Sequence, residues 1–325
     1  MRGYRRFLAS QPALSSGPLV SADILPWLWI PVTIWAAFAQ TLRNAAQRHL
    51  TTELGTLGAT LVRFLYGLPF AVIWLLILIA GAHLPLPSAN GPFFMWVATG
   101  ALTQILAQAL LLKVMSERNF LLGVAYAKTE ILQVAVLGLV LLGDPITGYA
   151  ALAIVAGTCG VFLLSPADKE RPIRALLTGW TSRTAVYGLA SGACLALSAV
   201  GYRGAALALD SSSFLAAAGY TLVWAQTLQT LTLGGWLLWR QKEVVLRVFR
   251  AWRQSLFAGF MGAAASAGWF TAMAIESAAH VRTLGLIELL FSYAIARRFF
   301  RERVTWLEIV GVALLTVGVV IVSLR

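Results

Sequence analysis

In a chain of 325 residues, 59% are hydrophobic and only 12% are charged, and the mean hydropathy is +0.78, which excludes an ordinary water-soluble domain. The net charge of +12 could suit a polyanion. However, the Lys and Arg residues flank apolar runs and form no solvated basic face, so the charge points to loops on anionic lipid and nucleic acid is excluded as a partner.

Residues 1–26 carry Arg2, Arg5 and Arg6 but no clean apolar core followed by small residues, and read as an N-terminal tail, not a cleaved signal peptide. Beyond them, stretches long enough to cross the hydrocarbon core, roughly 20 mostly apolar residues each, recur at 27–47, 54–80, 93–114, 120–142, 146–165, 185–207, 213–238, 256–275, 281–298 and 305–323. Runs such as 71–80 and 312–324 are apolar all round and lack the alternation of a transmembrane barrel. The expected fold class is therefore an all-α membrane protein with ten transmembrane helices.

Cys159 and Cys194 both fall inside spans, where packing explains them better than a disulfide. His49, His83 and His280 lie near span ends, and no metal constellation or cofactor is expected. The chain has no phosphate-cradling loop, Gly-x-Ser-x-Gly elbow or His-Glu-x-x-His helix. It is expected not to be an enzyme, and not to drive transport with ATP by itself.

A polar, Pro- and Gly-containing stretch at 165–184 leaves five spans on each side. The implied organisation is a first five-helix repeat at 27–165, a linker at 166–184 and a second repeat at 185–325. Sliding 113–165 along 271–323 without gaps superposes Met115 on Met273, Glu130 on Glu288, Asp144 on Glu302 and Thr147 on Thr305. The charged matches weigh most, because the chain holds only 13 acids. An odd number of spans per copy would turn the second copy upside down, giving two inverted repeats with a solute site near the midplane between them.

With ten spans, 17 of the 25 Lys and Arg fall on one side of the membrane, Arg43 among them; six, including Arg282, fall on the side bearing both termini. Positive charge accumulates in cytoplasmic loops, so both termini are expected outside the cytoplasm. The preponderance of Arg over Lys hints at a bacterial plasma membrane.

Glu130 and Glu288 sit near the centres of their spans. An ionised carboxylate there costs roughly 2.5 to 3.5 kcal/mol on insertion scales, so each must face the bundle interior or a watery cavity. Such a pair could couple protons to transport or bind a cationic group of a solute; alternatively, each acid bridges helices or pairs with Arg63 or Lys128. Lys128 is two residues from Glu130, on another helix face, and could meet an anionic solute group or a neighbouring helix. Gln40, Asn44 and Gln47 form one polar stripe, and Gln104 with Gln108 another. These stripes are either glue between helices or the lining of a cavity. Tyr126, Gln133 and Ser292 lie within a helical turn of the two acids, and Trp269 with Phe270 could stack on a solute or simply pack.

The stretches 129–147 and 287–305 each place an acid mid-helix and, fourteen residues on, an acid followed by Thr: Glu130 with Asp144 and Thr147, Glu288 with Glu302 and Thr305. In this the chain resembles the drug/metabolite transporter superfamily, in particular its EamA-type members. Arg63 in 61–70 is similar to an arginine usual in the second helix of that family. The chain departs from the family in carrying Ile131 and Leu289 where a proline often follows the mid-helix acid, and in its charge count, since family members commonly keep both termini cytoplasmic.

The resemblance implies a secondary transporter that exports a small metabolite or amphiphilic solute by alternating access, with protons as a candidate coupling ion. Two other readings stand beside it: a flippase for lipids or lipid-linked sugars using Lys128 and Arg63 on a head group, and a non-transporting membrane subunit. The expected partners are a small-molecule solute, the lipid bilayer and protons. A ten-helix bundle can work as a monomer, and the oligomeric state is not written in the sequence.

Overall fold

The computed structural model describes residues 27–81, 83–117, 183–209, 211 and 213–300, together with residues 130, 148, 151, 152, 155, 156, 159, 160, 306, 310, 313, 314 and 317. Nine α-helices are found among them: α1 (Trp29–Leu65), α2 (Leu68–Leu76), α3 (Gly91–Glu117), α4 (Arg183–Ala208), α5 (Phe214–Arg240), α6 (Lys242–Arg250), α7 (Trp252–Ile275), α8 (Ala278–Leu284) and α9 (Ile287–Phe300). The described fold is all-helical.

The ten transmembrane helices in two inverted repeats expected from the sequence are corrected by this structure. Among the described residues, three segments are long and apolar enough to cross a membrane: Trp29–Gly81, Gly91–Glu117 and Trp252–Met273. Several departures have physical causes. The span expected at 281–298 is two short helices, α8 and α9, broken at Gly285 and Leu286, whose amides bond back to Val281 and Thr283. With 7 and 14 residues, neither is long enough to cross the hydrocarbon core alone.

In α4 and α5 the apolar content is diluted by Gly, Ser, Thr and Gln. The spans expected at 120–142, 146–165 and 305–323, and most of the segment that carried the repeat alignment, lie outside the described residues. The side-by-side charge count rested on ten spans and falls with them.

Within α1 the helix is interrupted at Gly55, whose backbone (φ 71°, ψ 171°) is non-helical and lies in a region open chiefly to glycine. The residues expected as separate spans at 27–47 and 54–80 therefore lie in one long apolar segment, on two rods meeting at this residue. The second rod continues past Tyr66 and Gly67 into α2, where Pro69 sits in the first turn and tolerates the missing amide. It ends in a π-helical turn, Ile77–Gly81.

Among the described helices the most extensive packing is of α1 with α7 and of α3 with α4. At the second of these, a Cβ on Gly100 would come within 2.7 Å of the Tyr202 ring, so only glycine lets α4 approach.

Buried apolar residues fall into layers along the helices. On α1, Trp29, Ala36 and Ala39 belong to one cluster and Leu50, Leu54 and Val62 to another; on α3, Phe93 and Val97 join the first and Leu111, Leu112 and Met115 the second. Between them, near the middle of each helix, lie the polar stripes of residues 40–47 and 104–108. Outside, large apolar side chains such as Met95, Leu231 and Trp239 are exposed, as a lipid-facing surface requires.

The short helix α6 buries Val244, Val245 and Val248 and carries Arg247 and Arg250 in its last turn. It is flanked by Arg240 over Trp239 and Arg253 over Trp252. Aromatic and basic anchors of this kind belong at a membrane interface.

Gly100→Ala is expected to lower stability by about 1 to 3 kcal/mol through overpacking against Tyr202. Thermal melting of the purified protein in detergent reads this directly, and an unchanged midpoint contradicts the close approach.

Candidate functional site

The polar layer is built from α1 outward. Gln40, Asn44 and Gln47 share one helix face, and Arg43 lies on the same stripe. Glu288, in the first turn of α9, is 1% exposed, and a carboxylate buried so deeply needs donors. It receives them from Gln40 Nε2 at 2.6 Å and Asn44 Nδ2 at 3.1 Å, one on each oxygen. Both donors are themselves held: Trp269 Nε1 on α7 donates to Gln40 Oε1 at 2.9 Å, and Arg43 donates to Asn44 Oδ1 at 2.7 Å. Each amide thus accepts with its oxygen and gives with its nitrogen, passing polarisation from Trp269 and Arg43 to the acid.

A second chain of bonds ties the far side of Gly55 to the same layer. Arg63 donates to Gln108 Oε1 at 2.9 Å and to Ser266 Oγ at 3.4 Å. Gln108 Nε2 donates to Gln47 Oε1 at 3.1 Å, and Gln47 in turn donates to the Ala59 carbonyl. A third group joins three helices: Tyr202 Oη on α4 donates to Gln104 Oε1 at 2.8 Å, and Gln229 Nε2 on α5 reaches both, at 2.7 and 2.8 Å.

On α8, Arg282 lies 3.8 Å from Glu130 and stacks over the Trp269 ring at 4.6 Å. Next to it Glu276 meets His280 Nδ1 at 3.0 Å, and Arg203 donates to the Met273 and Glu276 carbonyls. Where these groups converge is a small cavity of about 20 Å³, walled by Gln40, Arg43, Arg63, Tyr202, Trp269 and Arg282 among others.

The structure therefore brings together Gln40, Asn44, Gln104, Gln108, Arg63, Trp269, Glu130 and Glu288 of the sequence-derived candidates. Ser292 is buried on α9, and its hydroxyl has no hydrogen-bond partner among the described residues. Lys128, Tyr126 and Gln133 lie outside the described residues. Sequence reasoning missed Tyr202, Gln229 and Ser266, and it placed Arg43 and Arg282 in loops on opposite sides of the membrane. Both arginines are in fact buried, at 2% and 7% exposure. Arg43 could have been found from its place on the stripe, three residues from Gln40; nothing local distinguishes Arg282 from a loop anchor.

A larger, wholly different space lies between α1, α2, α5 and α7: an apolar groove of about 460 Å³ lined by Val32, Trp35, Phe70, Trp74, Leu222 and Phe260 among others.

Residues 182–324 match the EamA-like transporter family. The sequence has no match among curated proteins. A solved structure titled "Crystal structure of protein" superposes with a TM-score of 0.61 at 14% identity, covering 91% of this chain and 96% of its own, a likeness of fold alone. The match and the apolar helices together support a multi-pass membrane location and a general role in membrane transport. A family of transporters accords with the expectation that the chain is not an enzyme.

Tyr202→Phe removes the donor to Gln104 and one acceptor of Gln229. It is expected to cost about 0.5 to 2 kcal/mol, the range for interhelical hydrogen bonds in membranes. Denaturation in mixed micelles measures it, and a cost of zero would mean that the three groups are not joined as described.

Proposed function

We propose that this chain is a secondary transporter of the EamA type in the drug/metabolite transporter superfamily, residing in a bacterial inner membrane and moving a small metabolite or amphiphilic solute by alternating access. The observation that carries this reading is the buried polar layer at mid-helix, in which Glu288 bridges α9 to α1 through Gln40 and Asn44. An acid held there by neutral amides keeps its bonds when α9 stays against α1 and loses them when the helices part. Opening the site thus exchanges amide donors for water or solute. Proton coupling follows on the same reading, with Glu288 and Glu130 as the carriers. Export is the direction that the family resemblance implies. The division of the chain near 166–184 is part of the proposal and is supported by a family match that begins at residue 182.

The test is flux in proteoliposomes under an imposed pH gradient. The parent protein is expected to accumulate or release a solute faster with the gradient than without it, and Glu288→Gln to lose that dependence. Flux that responds equally in parent and variant overturns the coupling role.

One observation favours a second reading, a lipid flippase: the apolar groove between α1, α2, α5 and α7 has the lining of an acyl-chain site. Scrambling of a labelled phospholipid without flux of any soluble compound would select it.

A further inference from the structure

Resting on the reading of the polar layer as a transport site, we propose that its solute is a monoanion, bound through a carboxylate by Arg43, Arg63 and Arg282. Three buried guanidinium groups wall one small cavity, with exposures of 2%, 3% and 7%. Two acids stand against them among the described residues, Glu288 and Glu130, leaving one positive charge in excess. The three cations lie close enough for their charges to act on one another, and Glu288 acts on both Arg43 and Arg63.

None of the three arginines is satisfied in the way a buried guanidinium ordinarily is. Arg43 spends its bonds on the neutral Asn44, and its Nη1 has no partner among the described residues. Arg63 spends its bonds on the neutral Gln108 and Ser266. Arg282 meets Glu130 at 3.8 Å and a ring face, and its Nε is without a partner among the described residues.

A buried cation with unmade bonds is costly, and a planar fork of donors fits a carboxylate two atoms at a time. A single carboxylate would cancel the excess charge and take up the unmade bonds at once. Glu288, by contrast, already has a donor on each oxygen, so it is poorly placed to receive a cationic solute. Trp269, Phe270 and Tyr202 form aromatic wall beside the arginines, a surface suited to an apolar or aromatic body behind the carboxylate. The cavity of about 20 Å³ is about the size of one water, so the solute enters as the helices part.

The test is equilibrium binding to the full chain in lipid nanodiscs, using acetate, benzoate and indole-3-acetate, each beside its amide and the corresponding ammonium compound. The carboxylates are expected to bind at least about tenfold more tightly than their partners, and Arg43→Gln and Arg282→Gln each to weaken that binding about tenfold or more. Arg43→Lys and Arg282→Lys keep the charge but lose the fork, and are expected to fall between. They carry the test if the Gln variants fail to fold.

Equal binding of amide or ammonium compounds overturns the inference, as does carboxylate binding indifferent to the arginine variants, or no carboxylate binding at millimolar concentration. Flux of the same compounds in proteoliposomes separates the two readings. Transport of the ammonium compounds alone sinks the anion and keeps the carrier; carboxylate binding without flux of any compound keeps the anion and sinks the carrier.

Discussion

The centre of this molecule depends on one constraint: charge taken out of water must be answered inside. Glu288 is the pivot. An isolated carboxylate at that depth would cost on the order of several kcal/mol, and the structure answers it with the amides of Gln40 and Asn44, themselves polarised by Trp269 and Arg43. Four separate elements, α1, α7, α9 and through Arg282 α8, are thereby committed to one geometry. The apolar clusters above and below exclude water from this layer, and the same exclusion strengthens each of its bonds.

The layer also explains why the helices pack as they do. Small residues line the tightest contacts, bringing α4 against α3 and α7 against α1 closely enough for Tyr202 and Ser266 to reach partners on neighbouring helices. Packing comes first, because in lipid no hydrophobic force draws helices together. Close approach and hydrogen bonds must supply the association.

What could be read from the sequence was what repeats at helical spacing or is expensive in lipid. The stripe of Gln40, Asn44 and Gln47, the pair Gln104 and Gln108, and the costly Glu288 all announce themselves in this way, and all lie in the polar layer. What could not be read was context. An arginine near the end of an apolar run looks the same whether it anchors a loop or turns inward, so Arg43 and Arg282 were assigned to opposite surfaces although both face one cavity. Tyr202 and Gln229 are single polar residues whose importance lies in meeting Gln104 from distant parts of the chain. The helix count failed for a related reason: a window of apolar residues does not register the interruption of the helix at Gly285, and it takes the diluted helices α4 and α5 for ordinary spans.

The interruption at Gly55 has a mechanical consequence. It separates the rod that holds Glu288's partners from the rod that bears Arg63, so a torque on one is not transmitted rigidly to the other; among the described residues the polar bonds Arg63–Gln108–Gln47 and Gln47–Ala59 clasp them together. A helix uninterrupted over that length would be a single lever. Here the polypeptide has a swivel with a polar latch beside it, and two of the latch's side chains, Arg63 and Gln108, also line the cavity.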